Sequence, residues 1–180
     1  MIQNVQLKDI ATVAAGQGAP QGAHNYSHQG IPFIKAGDLA DLIAGKNESD
    51  VQKVSEEVAK KHRLKLFPKG TILFAKSGMS CMKGYVYTLQ SDCYVVSHLA
   101  CITPHNVSSE YLRYYFEYHR PNSLVKDSAY PSISLADISN LSITVPDEDS
   151  CLSVVRILNS VNALIAKKRK ILELLDHKFQ

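Results

Sequence analysis

Residues 150–180 read SCLSVVRILNSVNALIAKKRKILELLDHKFQ, a run without a glycine or a proline. All nine glycines fall at or before Gly84 and all seven prolines at or before Pro146, so the breakers stop where this run begins. Pro146-Asp147-Glu148-Asp149-Ser150 sets a proline and carboxylates ahead of it, where the partial positive charge of a helix N-terminus stabilises acids. A helix is expected from about Ser150 to the chain end. Its apolar positions return every seven residues: Val154, Val161 and Leu175; Ile157, Leu164 and Ile171; Leu158, Ile165, Leu172 and Phe179, with only Lys168 and Lys178 breaking the rows. At 1.5 Å per residue such a stripe needs a partner surface roughly 40 Å long. A body of about 150 residues has a radius of gyration near ~15 Å and covers only part of it. The remainder is expected to pack on another chain or domain, with Val154, Ile157, Leu158, Val161, Leu164, Ile165, Ile171, Leu172 and Leu175 as the dimerisation seam. The other reading lays the helix wholly across its own domain.

Upstream the periodicity is mixed. Gly30–Lys35 and Thr71–Ala75 predict short buried strands, as do Gly84–Leu89, Tyr94–Ser97 and the alternating Leu141–Val145. Ser55–Leu64 and Ser109–His119 predict helices, and the row Tyr111, Leu112, Tyr115 and Phe116 on the second fits core packing better than a base-stacking platform. The class is α+β: a strand-rich domain over residues 1–149, then one long helix over residues 150–180. A chain of 180 residues that is 45% hydrophobic can bury a real core. Its longest uninterrupted apolar runs are a few residues, far short of the roughly 18 that span a bilayer, so no membrane helix is expected. The four cysteines lack a CxxC spacing and the N-terminus lacks a secretory pattern, which predicts a cytoplasmic chain with reduced thiols and no structural zinc.

The formal net charge of +3 is unevenly placed. From Cys151 to Gln180 six basic residues stand against two acids, so the preceding residues sum to −1. Lys60, Lys61, Arg63, Lys65, Lys69, Lys76 and Lys83 then occur with no acid between Glu57 and Asp92. Such a basic stripe is either a solvated face or the footprint of a polyanion. Catalytic and cofactor signals are missing. Gly16-Gln17-Gly18 lacks the third glycine and a preceding strand for a dinucleotide cradle, and Ser77-Gly78-Met79-Ser80 lacks the nucleophile-elbow frame. His24 and His28 sit in a glycine-rich loop rather than on one helix face, so neither metal nor cofactor is expected.

One ordered series stands out. Leu7-Lys8-Asp9-Ile10 comes first, then Gly30-Ile31-Pro32-Phe33-Ile34 leading to Gly37-Asp38-Leu39. Leu66-Phe67-Pro68-Lys69-Gly70-Thr71-Ile72-Leu73 and Gly84-Tyr85-Val86 follow, and Ser132-Ile133-Ser134 precedes Leu141–Pro146 and the long helix. Taken together this resembles the target recognition domain of Type I restriction-modification specificity subunits. The chain departs from that pattern at Val5, at Phe33 and after Pro146. The resemblance implies a non-catalytic subunit that reads double-stranded DNA and positions methyltransferase and restriction subunits. Full subunits carry two such domains and two long antiparallel helices, so this chain looks like a half-subunit, expected to form a homodimer through a coiled coil.

Two copies joined by their helices would hold two basic faces a fixed distance apart over a bipartite target. Candidate DNA-binding residues are Gln21, His24, Asn25 and Tyr26 in a polar loop of donors and acceptors, with Lys35. Lys69, Lys76, Ser77 and Lys83 belong to the basic stripe, and Tyr130 to a third loop. The alternative is a protein-interaction module that uses the C-terminal helix without sequence-specific DNA binding.

Overall fold

The computed structural model describes residues 2–176. In chain order its elements are β1 (Gln3–Gln6), α1 (Leu7–Ile10), β2 (Ala11–Ala15), β3 (Ile31–Ile34), α2 (Leu39–Ile43), β4 (Lys53–Val54), α3 (Glu56–Lys61), β5 (Ile72–Ala75), β6 (Val86–Thr88), β7 (Tyr94–Val95), β8 (Leu99–Pro104), α4 (Ser109–His119), α5 (Leu135–Ser139), β9 (Ser142–Val145) and α6 (Glu148–Asp176). The class is α+β, as the sequence predicts.

A four-stranded sheet in the order β2-β8-β5-β6 lies at the centre, every pairing in it antiparallel. Strand pleating sends alternate side chains to opposite faces. Ile72 and Phe74 of β5, with Ala100 and Ile102 of β8, enter one core together with Leu7, Leu112, Phe116, Ile138 and Ile143. Leu73 and Ala75, with Leu99 and Cys101, enter a second core with Phe33, Ile34, Leu39, Val54 and Val95. The second core is backed by a three-stranded sheet, β4-β3-β7, in which β3 and β7 run parallel. A third ribbon pairs β1 with β9 and so ties the start of the chain to the strand that feeds the long helix.

Local chemistry explains the helix starts. The Ser55 side chain accepts from the Val58 N–H and the Ser108 side chain from the Tyr111 N–H, both at 3.3 Å, capping α3 and α4. On α4, Leu112 and Phe116 are buried, while Tyr111 and Tyr115 donate their hydroxyls to the Thr144 and Ser142 carbonyls at 2.7 and 3.2 Å. That row is packing, as its spacing predicts. Buried Glu48 accepts from the Gln90 and Ser91 N–H groups at 2.7 and 2.8 Å and from the Tyr87 hydroxyl at 3.1 Å, fixing the turn between β6 and β7.

The structure adds to the sequence reading and corrects it. Strands β1, β2, β4 and β8 have no counterpart in it. Gly16-Gln17-Gly18 does follow a strand, β2, but leads into no helix, and a Cβ on Gly16 would lie 2.3 Å from the carbonyl oxygens of Val95 and Val96. That glycine permits a close backbone approach. Within α6, an 18-residue window between Glu148 and Leu172 reaches a mean hydropathy of 1.2, although its uninterrupted apolar runs are short. Arg156, Asn159 and Asn162 interrupt that surface, and the two asparagines are committed to α4.

The helix starts at Glu148, two residues before the expected Ser150, and docks only by its first half. Cys151 and Val155 are buried and Leu158 is half-buried. The Tyr114 hydroxyl donates to Asn159 Oδ1 at 2.6 Å and accepts from Asn162 Nδ2 at 3.0 Å, while Asn159 Nδ2 donates to Glu110 Oε1 at 3.0 Å. Past Asn162, every residue to Leu175 whose burial is described is exposed. The seam therefore does not lie wholly across its own domain. Lys178 and Phe179, which belong to the expected rows, lie outside the described residues.

All four cysteines are free and buried. Burial pushes the Cys93 thiol up to about 12, with nearby Glu48 adding to the effect, and raises that of Cys101 as well. An unfolded thiol ionises near pH 8.5, so between about pH 9 and 12 the unfolded chain sheds protons that the folded chain keeps. Stability should be undiminished by these groups below that window and fall as pH rises through it. Urea midpoints that hold steady across the window would refute this, as would a thiol reagent that labels the native protein as fast as the denatured one at about pH 8.

Candidate nucleic-acid interface

Strand direction sorts the candidate residues. β5 runs from Ile72 to Ala75, so Lys69 precedes one end of it and Lys76 follows the other. At the Ala75 end the Lys76 N–H donates to the His98 carbonyl at 2.9 Å, and the Gly16 N–H to that of Leu99 at 3.2 Å. The Ser97 N–H reaches the Gln17 carbonyl at 2.8 Å. Gln17 in turn gathers the segment after α3: its Nε2 donates to the Arg63 carbonyl at 2.8 Å and its Oε1 accepts from the Lys65 N–H. Because Phe74 pairs with Val86, Lys83 falls at this end too.

The Tyr130 loop joins the same end. Ser77 and Ser132 form an antiparallel bridge, flanked by the Gly78 N–H donating to the Pro131 carbonyl at 3.0 Å and the Ile133 N–H to that of Lys76 at 2.8 Å. Ser77 Oγ lies 3.0 Å from His98 Nδ1. One end of the sheet thus collects Arg63, Lys65, Lys76, Lys83, His98 and Tyr130. Among the described residues none of those four cations is in an ion pair, whereas Lys46, Lys60, Arg113 and Lys126 are.

The opposite end is different. There Lys69 donates its N–H to Asp92 Oδ1 at 2.8 Å and lines a cleft of about 560 Å³ with Tyr87, Gln90, Arg113, Glu110 and Glu117. The root of α6 is at this end as well, since Val145 and Pro146 border His105 and Ser108, and the His105 N–H donates to the Ile10 carbonyl at 3.0 Å. The acid-free basic stretch is therefore one stripe in sequence and two sites in space.

The Gln21–Tyr26 loop forms a further cluster. Asn25 is buried, and its Nδ2 donates to the Gln21 carbonyl at 2.6 Å, closing a 3₁₀ turn over Ala23–Asn25. Tyr26 packs edge-on against Phe33 with centroids 6.0 Å apart, and burial raises its phenol above the ordinary value. Lys35 Nζ lies 4.4 Å from the Tyr26 centroid and donates to Gln52 Oε1 at 2.6 Å. Gln21 and His24 are the exposed members. Sequence reasoning did not single out Gln17, His98 or Met79; a glutamine and a histidine beside no motif carry no local signal.

Comparison with known proteins bears on this arrangement. A family model described as the Type I restriction modification DNA specificity domain matches residues 2–176. The Type I restriction enzyme MjaIX specificity subunit of Methanocaldococcus jannaschii is 27% identical over an alignment of 176 residues that covers 95% of this chain and 40% of that protein. The chain thus spans about two-fifths of the length of that relative. A chain from a solved type I R-M system assembly has a TM-score of 0.74 at 19% identity, covering 94% of this chain and 40% of its own. The HsdS subunit from Thermoanaerobacter tengcongensis gives 0.70 at 21% identity, covering 92% of this chain and 38% of its own. At those identities the two structures establish a shared fold.

The loop geometry makes a distinction that mutation can test. Asn25→Ala removes a buried side chain and its hydrogen bond and should cost about 1–3 kcal/mol in urea unfolding. His24→Ala, which removes an exposed ring whose Nε2 lies 3.1 Å from the same Asn25 amide but leaves the bond to Gln21, should cost clearly less. Equal effects would mean that Asn25 does not hold the loop.

Proposed function

Since the chain belongs to the Type I restriction modification DNA specificity family, we propose that it is the sequence-reading part of such a system: a non-catalytic chain that binds one half of a bipartite duplex target. The observation that carries this reading is the end of the central sheet where Arg63, Lys65, Lys76 and Lys83 stand without ion-pair partners among the described residues, beside exposed Tyr130. A duplex carries one negative charge per ≈ 1.7 Å, and unpaired cations on a rigid edge release its counterions. Lys76 and Lys83 contact backbone phosphates, Ser77 donates from the turn between them, and Gln21 and His24 reach base edges from their own loop. Tyr26, Asn25 and Lys35 hold that loop in shape. Lys69, at the far end, lies outside this footprint.

The partners follow from the fold's other end. We infer that methyltransferase and restriction subunits assemble with this chain in the cytoplasm, and that the seam on α6 pairs two copies. Val154, Ile157, Val161, Leu164, Ile165, Ile171, Leu172 and Leu175 are exposed, with Leu158 half-buried at the edge of the docked part. A two-fold pairing along α6 sets two reading ends a fixed distance apart, and a gapped palindrome is the matching target. The same exposed seam favours the second reading, a protein-interaction module without DNA specificity. Duplex binding separates the two.

Affinity for a mixed-sequence duplex should fall steeply with salt, with a log-log slope of about −0.9 for each phosphate contacted. Lys76→Ala and Lys83→Ala should each reduce that slope by about one contact, and Lys69→Ala should leave it unchanged. Affinity indifferent to salt would remove the DNA reading and leave the interaction module. In light scattering, Leu164→Glu with Ile171→Glu should turn a dimer into a folded monomer, because an unpaired carboxylate in an apolar seam is costly. A wild type that is monomeric at tens of micromolar would refute pairing through α6.

A further inference from the structure

Two large apolar side chains stand exposed at the basic end of the sheet. Met79 is 70% exposed and Tyr130 82%, against a core whose members are almost wholly enclosed. They stand on rigid supports. Gly78, at φ 73°, turns the chain out of the Ser77–Ser132 bridge, and the 3₁₀ turn Met79–Lys83 is anchored by buried Cys81, whose N–H donates to the Gly78 carbonyl at 2.9 Å. Tyr130 is followed by buried Pro131 and precedes buried Ile133. Gly78 bonds Pro131 beside the Ser77–Ser132 bridge, so Met79 and Tyr130 each lie one residue from that hydrogen bond. Two apolar side chains are therefore exposed on two mutually bonded loops. Lys76 and Lys83 flank them, and the Lys83 Nζ lies 5.8 Å from the centroid of half-exposed Tyr85. The acid closest in sequence, Asp127, is turned onto the Ala129 N–H at 2.8 Å.

A solvated loop needs neither residue, and an exposed apolar pair on a fixed support marks a contact surface. Its cationic surroundings select a polyanion, and the apolar tip selects the one part of a duplex that is not polar, the faces of its bases. We propose that Met79 and Tyr130 form a wedge that enters a base step of bound duplex DNA, Met79 between the pairs and Tyr130 against the base face it uncovers. Side chains of this kind unstack a step and kink the helix, and an aromatic ring repays part of that by stacking. Pyrimidine–purine steps open most readily. The wedge thus adds a requirement for such a step, read as deformability rather than by hydrogen bonds. It rests on the DNA reading proposed above.

The full chain is first used to select duplexes from a random-sequence library, and 2-aminopurine is then placed at each step of the selected half-site. Wild type should raise the fluorescence at one step, and that step should be pyrimidine–purine. Met79→Ala should abolish the rise, and Met79→Ala and Tyr130→Ala should each weaken binding by roughly tenfold or more, within the range one base stack supplies. Both should keep the wild-type salt slope and thermal midpoint, because neither residue is a phosphate contact or a core member. Binding with no raised position, or a rise that survives Met79→Ala, overturns the wedge and leaves the DNA reading standing. A wild type that selects no duplex overturns both.

Discussion

The pairing of β5 with β8 is the interaction on which the other elements depend. Ile72-Leu73-Phe74-Ala75 and Leu99-Ala100-Cys101-Ile102 are apolar at every position and buried at every position. An antiparallel sheet with one wet face alternates apolar with polar residues. This one does not, so forming the ladder creates two apolar faces and each must be covered. Helices α1, α4 and α5 with β9 close one face, and α2 with the β4-β3-β7 sheet closes the other. With both faces taken, the chain can present polar groups and loops only at the strand ends.

The two ends have been put to different uses. One carries the basic loops tied together through His98, Ser77 and Ser132; the other carries the cleft beside Lys69 and the root of α6. Residues of the basic loops enter the cores only through a few anchors, such as Cys81 and Ile133, so their tips can change without disturbing the sheet. The long helix is held where it leaves by side-chain hydrogen bonds among Glu110, Tyr114, Asn159 and Asn162. Each such bond contributes about 0.5–1.5 kcal/mol net, yet together they are the last described contacts before the exposed half. A helix rises about 1.5 Å per residue, so a small change of angle at Asn159 moves the distal turns by several ångströms.

How much of this was legible depends on whether the signal is local. The α6 rows, the Ser55 and Ser108 caps and the apolar run Ile72–Ala75 each state their structure within a few residues. β8 does not, because the turn before it is Ser97-His98, without glycine or proline, and Tyr94–Ile102 reads as one broken apolar stretch. β1 is Gln3-Asn4-Val5-Gln6, whose only reason to be a strand is β9, at the far end of the domain. The candidate site depends on contacts distant in sequence in the same way. Lys69 and Lys76 look like neighbours in sequence, but an extended strand of about 3.3 Å per residue lies between them. Ser77 and Ser132, distant in sequence, are bridged. Asn25 reads as a free amide donor, and the 3₁₀ turn has already spent it on Gln21.

The seam on α6 sets the remaining constraint. Both cores are closed, and among the described residues none covers Leu164, Ile165, Ile171 or Leu172, which leaves an apolar row of the kind a second helix could meet. Charge decides how that helix would lie. In a parallel, in-register pair Lys168 would face Lys168 inside the seam, and the Lys167-Lys168-Arg169-Lys170 clusters of both helices would meet. Turning one helix around sets each Lys168 against an apolar row, along which its stem can lie while the ammonium reaches the edge, and it separates the two clusters along the axis. Like charges held close in a drying seam cost far more than the same charges apart in water. In the pairing proposed above, the sequence of the helix would therefore favour the antiparallel arrangement, which would also direct the two domains to opposite ends of the pair.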